Sequence, residues 1–342
     1  MTDRLSRLLA ARPYLLADGA MGTNLFMRGL MSGDAPEPWN IDQPDRVAEV
    51  HRGFAAAGSD ILLTNTFGAN RQRLKLHKLE RRVEELNAAG ARLARGAAEA
   101  SGRAIVVAGS IGPTGDLLQP LGPLTQDEAR EVFAEQARGL KAGGADVLWV
   151  ETMSAADELA AAVEGAGATG LPVVATMTFD TNGRTMMGIA PGDAVRLFSR
   201  LHPSAVAFGA NCGNGPAELV ASLLGLVKAS VAGRDVIVAK GNCGIPQFND
   251  GKLEFTGTPE LMAAYARLAR DAGARIIGAC CGSEPTHLKA MAAALKGYVP
   301  GPSPDIATIE ERLGALGAGA KKSTESGGAP TQPREARRRR RG

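Results

Sequence analysis

The sequence predicts an α/β chain closed into a (β/α)8 TIM barrel, with a disordered basic tail at its C-terminus. Three observations carry that prediction. A short β-rich apolar run, a Gly- or Asn-bearing turn and a helical stretch recur in that order eight times. The runs are apolar almost throughout, as the strands of a parallel sheet covered on both faces must be. Each run also ends in polar or thiol-bearing residues, and a barrel gathers such ends on one face. A doubly wound open sheet with fewer strands is the alternative.

In chain order the runs are LLADGAMG (15–22), DILLTNTFG (60–68), AIVVAGSIG (104–112) and DVLWVETM (146–153). PVVATMTFD (172–180), AVAFGANCG (205–213), DVIVAKGNCG (235–244) and ARIIGACCG (274–282) complete the set. Amphipathic segments lie between them, among them 45–58, 126–144 and 259–274. The barrel is expected over 1–300, an extra helix within 301–317, and an Arg-rich tail over 318–342.

The chain has 342 residues, 44% hydrophobic and 22% charged, which excludes wholesale disorder. No apolar stretch approaches 18 residues, so no membrane span is expected. The opening segment has no long apolar core followed by a cleavage site, which points to the cytoplasm. The net charge of +3 conceals an asymmetry. Residues 318–342 carry +6 and leave the body at −3, so the folded part offers no general case for nucleic acid. The tail's composition buries almost nothing, and a solvated basic tail is the simplest reading.

The four cysteines are too few for a disulfide framework, and their clustering between 212 and 281 points to metal or redox chemistry. Cys212 ends the sixth run, and Cys280 and Cys281 end the eighth. Strands six and eight of a barrel flank strand seven, so the three thiols can point at one metal. Three soft ligands suit zinc and leave a fourth position for substrate. The competing reading is that they are ordinary buried small residues. Cys243, at the end of the seventh run, is a fourth ligand, a redox partner or an inert neighbour. Asp18 and Glu151 are carboxylates at strand ends on the same face, suited to acid–base work or to holding an ammonium group. DGAMGT lacks the spacing of a phosphate cradle. The four histidines fall outside the strand ends and read as structural or solvent-exposed.

DGAMGTNL, TNTFGAN (64–70), GSIGPTG (109–115), WVETM, GANCGNGP and IIGACCG resemble, in order and spacing, the homocysteine S-methyltransferase family over residues 14–296. KGNCGIPQF and TGTPELMAAYARLA resemble short bacterial betaine–homocysteine methyltransferases, and the barrel of cobalamin-dependent methionine synthase is also similar. The resemblance implies that Cys212, Cys280 and Cys281 ligate Zn2+, with the homocysteine sulfur in the open position. It implies that Asp18 and Glu151 hold the substrate ammonium and that Gly19 and Thr64 serve its carboxylate. Cys243 lies outside the family's metal motif. The implied reaction forms methionine, with betaine the favoured methyl donor and Trp39 matching a tryptophan of betaine-using relatives. Gly68 and Thr152 stand where the animal betaine enzymes carry tyrosines. The alternatives are a methyl group delivered by a separate corrinoid protein, as in a split cobalamin-dependent methionine synthase, or a sulfonium donor. The chain itself has no DxHxxG cobalamin motif.

Overall fold

The eight expected runs each contain one strand: β1 (Leu15–Leu16), β2 (Ile61–Leu63), β3 (Val106–Ile111), β4 (Val147–Met153), β5 (Val173–Met177), β6 (Ala207–Cys212), β7 (Ile237–Gly241) and β8 (Ile276–Ala279). In the computed structural model, which describes residues 3–249 and 252–325, they lie in the order β1-β8-β7-β6-β5-β4-β3-β2. The neighbouring pairs in that order are parallel. A parallel bridge between Ala17 and Ile61 joins the two ends. Hydrogen bonds from Asp60 N to Leu16 O (2.7 Å) and from Asp18 N to Ile61 O (3.0 Å) reinforce it, so the sheet closes into a barrel.

The two-residue period of the strands divides the core. Leu15, Ile61, Val106, Val147, Val174, Ala207, Val238 and Ile276 point inward and meet Leu5 and Leu9 of the first helix, Arg4–Ala11, in one cluster. These are residues from the start of each strand, so the helix plugs the N-terminal mouth. The alternate residues, such as Leu62, Val107, Leu148 and Ile277, pack outward against the surrounding helices. Helix punctuation follows local chemistry. Pro44–Ala57 ends on Gly58 at φ 114°, and Gln126–Ala142 starts from a Thr125–Glu128 capping box.

Two features depart from the sequence reading. Between β7 and its helix, Pro259–Asp271, the chain forms an antiparallel hairpin of Pro246–Asn249 and Lys252–Phe255. At the C-terminus, the expected extra helix is Ile306–Leu313, which docks on the barrel's outer helices through Ile309 and Leu313. The chain then forms a further helix, Ala318–Glu325, inside the segment expected to be a disordered tail. Its small residues permit close packing: Ala320 is buried, and a Cβ at Gly319 would meet the Asn182 side chain at 2.3 Å. Lys321 Nζ also pairs with Glu310 Oε1 at 2.8 Å. The rest of the expected tail, 326–342 with its Arg run, lies outside the described residues. No helix among the described residues is long and apolar enough to cross a membrane.

Candidate active site and metal centre

The strand ends do bring the thiols together. The Sγ atoms of Cys212, Cys280 and Cys281 all lie within 4.8 Å of one another, the one such cluster of potential metal ligands among the described residues. Cys212 terminates β6 in the left-handed region (φ 63°), and Gly213 and Gly282 continue the two turns at φ 79° and 77°. Asn242, one residue beyond β7, ties the turns to each other. Its Nδ2 donates to Gly213 O (2.5 Å), and Cys281 N donates to its Oδ1 (3.0 Å).

Electrostatics in the cluster favour a cation. Hydrogen bonds from Cys280 and then Cys281 pull the Cys212 thiol well below the usual range. The same contacts push Cys280 and Cys281 up. The trio therefore takes its first negative charge readily and resists more, which is the behaviour of a ligand set that needs a metal to be fully ionised. A tetrahedral zinc–thiolate site sets its sulfurs about 3.8 Å apart, within the observed spread. The residues fit the ion.

Cys243 is resolved by strand parity. It continues the outward set of β7, after Ala239 and Gly241, and packs in the layer between sheet and helices. Burial pushes its thiol up to about 12. It is a buried core residue outside the thiol cluster.

The carboxylates have different surroundings. Glu151 sits in a stretch where β4 shifts register between Val150 and Met153. The next residue, Thr152, is held at φ 64° by Asn211, whose Oδ1 accepts from Thr152 N (2.8 Å) and whose Nδ2 donates to Thr152 Oγ1 (2.7 Å). Glu151 continues the inward set of β4 after Val147 and Trp149 and faces the cavity, where Ser110 Oγ donates to its Oε1 (2.6 Å). Burial raises its pKa to about 7, against the opposing pull of Lys240. Asp18 lies deeper, not on the cavity wall. Its Oδ2 accepts from Leu63 N (2.8 Å) and its Oδ1 from Lys240 Nζ (3.0 Å).

Lys240 is a residue of the candidate site that sequence reasoning missed. It occupies the inward register of β7 and is buried with its partner Asp18, its ammonium 5.8 Å above the ring of Trp149. It also lines the cavity. The signal was present: DVIVAKG places a lysine at the inward position two residues after Val238, in a run otherwise fit only for a core.

A cavity of about 540 Å³ opens over the thiols, Glu151 and Lys240. Gly19 and Thr64 line it as expected. A Cβ at Gly19 would come within 2.3 Å of Ser283 Oγ and 2.8 Å of the Phe54 ring, so only glycine fits. Thr64 Oγ1 meets Thr66 Oγ1 at 2.5 Å and accepts from Ser110 N (3.0 Å), while Thr66 Oγ1 donates to Ser110 O (2.8 Å). This ring fixes the loop after β2. Trp39, like Asp18, departs from the expected wall. It is not on the cavity wall, and its half-buried ring carries the Arg46 guanidinium at 5.1 Å. The short helix Trp39–Asp42 turns it aside and leaves Glu37 facing the cavity in its stead.

Comparison with known proteins agrees with this geometry. Residues 15–295 match the family described as homocysteine S-methyltransferase. The methionine synthases of Mycobacterium tuberculosis and Mycobacterium leprae are 33% and 32% identical over 310 residues, covering 86% of this chain and 25% of each relative. The chain thus spans about a quarter of the length of these curated relatives. The metallated form of the homocysteine methyltransferase MmuM from Escherichia coli superposes with a TM-score of 0.71 at 26% identity, over 85% of this chain and 99% of that one. Fold, thiol cluster and sequence match converge, and the chain belongs to the homocysteine S-methyltransferase family.

Proposed function

We propose that the chain methylates the sulfur of homocysteine to form methionine, with Zn2+ held by Cys212, Cys280 and Cys281 and betaine as the methyl donor. The observation that carries this reading is the convergence of three thiols from β6 and β8 at a cavity that also exposes Glu151. A zinc ion there would keep the substrate thiol deprotonated at neutral pH, where a free thiol is mostly protonated.

The protein's own residues then do the positioning. Glu151 takes the substrate ammonium, and Asp18 keeps Lys240 in place beneath it. Gly19 and Thr64 form the wall that receives the carboxylate. With acceptor and donor aligned, the sulfur–carbon bond forms as the carbon–nitrogen bond of the donor breaks. The bonding pair stays on nitrogen, leaving a neutral amine and a thioether. No proton transfer is needed in that step, so the site has to align the partners and exclude water. A soft three-thiol site also persists only where thiols stay reduced, which supports a cytoplasmic setting.

A second donor reading has its own support. The relatives that extend beyond this barrel are methionine synthases. Met27, Met31, Leu76 and Leu121 in the loops after β1, β2 and β3 are exposed, as a partner-docking rim would be. A separate corrinoid protein would deliver the methyl group there. The test is methionine formation by the purified, zinc-loaded chain given homocysteine and betaine. Turnover supports betaine; its absence, with zinc and homocysteine bound, transfers the assignment to the corrinoid protein or a sulfonium.

A further inference from the structure

The cavity extends away from the thiols to a mouth whose walls do not match the aromatic cage expected for betaine. Trp39 is turned out of it, and the positions of the two cage tyrosines are Gly68 and Thr152. What fills the space at Gly68 is the carboxylate of Glu37. A Cβ at Gly68 would lie 2.8 Å from Glu37 Oε1, which accepts from Gly68 N at 2.7 Å. Glu37 is only 3% exposed although it faces the cavity.

Its loop is firmly held. Asn65 Nδ2 donates to Pro36 O (2.8 Å) and to Asn40 Oδ1 (3.0 Å), and Asn40 Nδ2 donates to Asn65 O (2.8 Å). The carboxylate is thus fixed to the loop after β2. Burial pushes its pKa up, against the pull of the backbone N–H groups and of Arg73.

Arg73 lines the same cavity at its exposed mouth. It lies near enough to temper the charge of Glu37, yet no ion pair within 4.0 Å joins the two among the described residues. The ring of Phe67, another wall residue, lies against Gly112, where a Cβ would meet it at 2.6 Å. The wall therefore offers a buried carboxylate, an apolar ring and an exposed guanidinium.

We propose that Glu37 and Arg73 form a donor subsite for a small zwitterionic onium compound, Glu37 reading the cationic head and Arg73 the carboxylate. This rests on the reading of a small-molecule methyl donor given above and adds the groups that select it. The order of charges is the productive one. An onium donor must present the methyl groups of its cationic head to the acceptor sulfur, so its carboxylate points to the mouth. A carboxylate beside the head takes the part that aromatic faces play in a cage.

The test uses the purified full chain and two half-ligands, tetramethylammonium and 3,3-dimethylbutanoate, which carry the cation alone and the anion alone. Binding is followed by calorimetry. Glu37→Gln keeps an acceptor for Gly68 N but removes the charge. It is expected to weaken tetramethylammonium about tenfold or more and to leave 3,3-dimethylbutanoate within about twofold. Arg73→Gln, at an exposed position that folding does not depend on, should do the reverse. Equal losses for both probes, no change in either variant, or a wild-type chain that binds neither probe would overturn the subsite. If the crossed pattern appears but betaine gives no methionine, the subsite stands and betaine is replaced by another zwitterionic donor.

Discussion

Replacing Lys240 by methionine tests the electrostatic floor of the site. Methionine keeps much of the length of lysine and suits contact with the Trp149 ring, so the perturbation is chiefly the loss of one buried charge. Asp18 would then retain a single partner, the Leu63 N–H at 2.8 Å, in a position 1% exposed. Breaking a buried pair from one side costs about 3–5 kcal/mol, because the remaining charge is left without compensation. In a chain of this length that corresponds to a fall in Tm of about 4–7 °C. Removing both charges, as in Asp18→Asn with Lys240→Met, should recover most of the loss. The single variant should also lose more stability at pH 8 than at pH 5, since protonation of the orphaned Asp18 removes the buried charge. Denaturant and thermal unfolding of the metal-free wild type, both single variants and the double variant complete the cycle. A Lys240→Met protein within about 1 kcal/mol of wild type, or a double variant no more stable than the single, would refute the reasoning.

Two further predictions follow from the same geometry. Cys212→Ser should abolish stoichiometric zinc binding, while Cys243→Ser should keep zinc and activity and lose only about 1–3 kcal/mol of stability from a buried polar atom; metal analysis with unfolding curves separates them. Glu151 has a folded pKa of about 7 against an ordinary 4.5, so the folded metal-free chain holds a proton that the unfolded chain releases. Its contribution is present in full below pH 4.5 and is lost as the pH rises through 7. Unfolding free energies should fall by about 3 kcal/mol more in wild type than in Glu151→Gln between pH 5 and 8, and parallel curves would contradict the assignment.

Much of this was legible in the sequence, for reasons that can be named. The barrel follows from eight near-continuous apolar runs, since strands buried on both faces leave no polar alternation to confuse with a helix. That the thiols, Glu151, Gly19 and Thr64 meet at one cavity follows because strand ends of a barrel must converge, whereas the pairing of Asp18 with Lys240 beneath the wall was not legible. Trp39 was misplaced because its distance from β1 in sequence says nothing of the way the Trp39–Asp42 turn points its ring. Lys240 was hidden among apolar neighbours, and only the inward parity of β7 reveals it. The same parity makes Cys243 outward. The Ala318–Glu325 helix was missed because its cohesion comes from close backbone approach, which composition does not show.

The most direct test is methionine formation from homocysteine and methyl-labelled betaine by the purified chain, before zinc removal, after it, and after zinc is restored. The account predicts labelled methionine that disappears with the metal and returns with it. Undiminished turnover in the metal-free chain would contradict the role of the three thiols, and a zinc-loaded, homocysteine-bound chain that forms no methionine would contradict betaine.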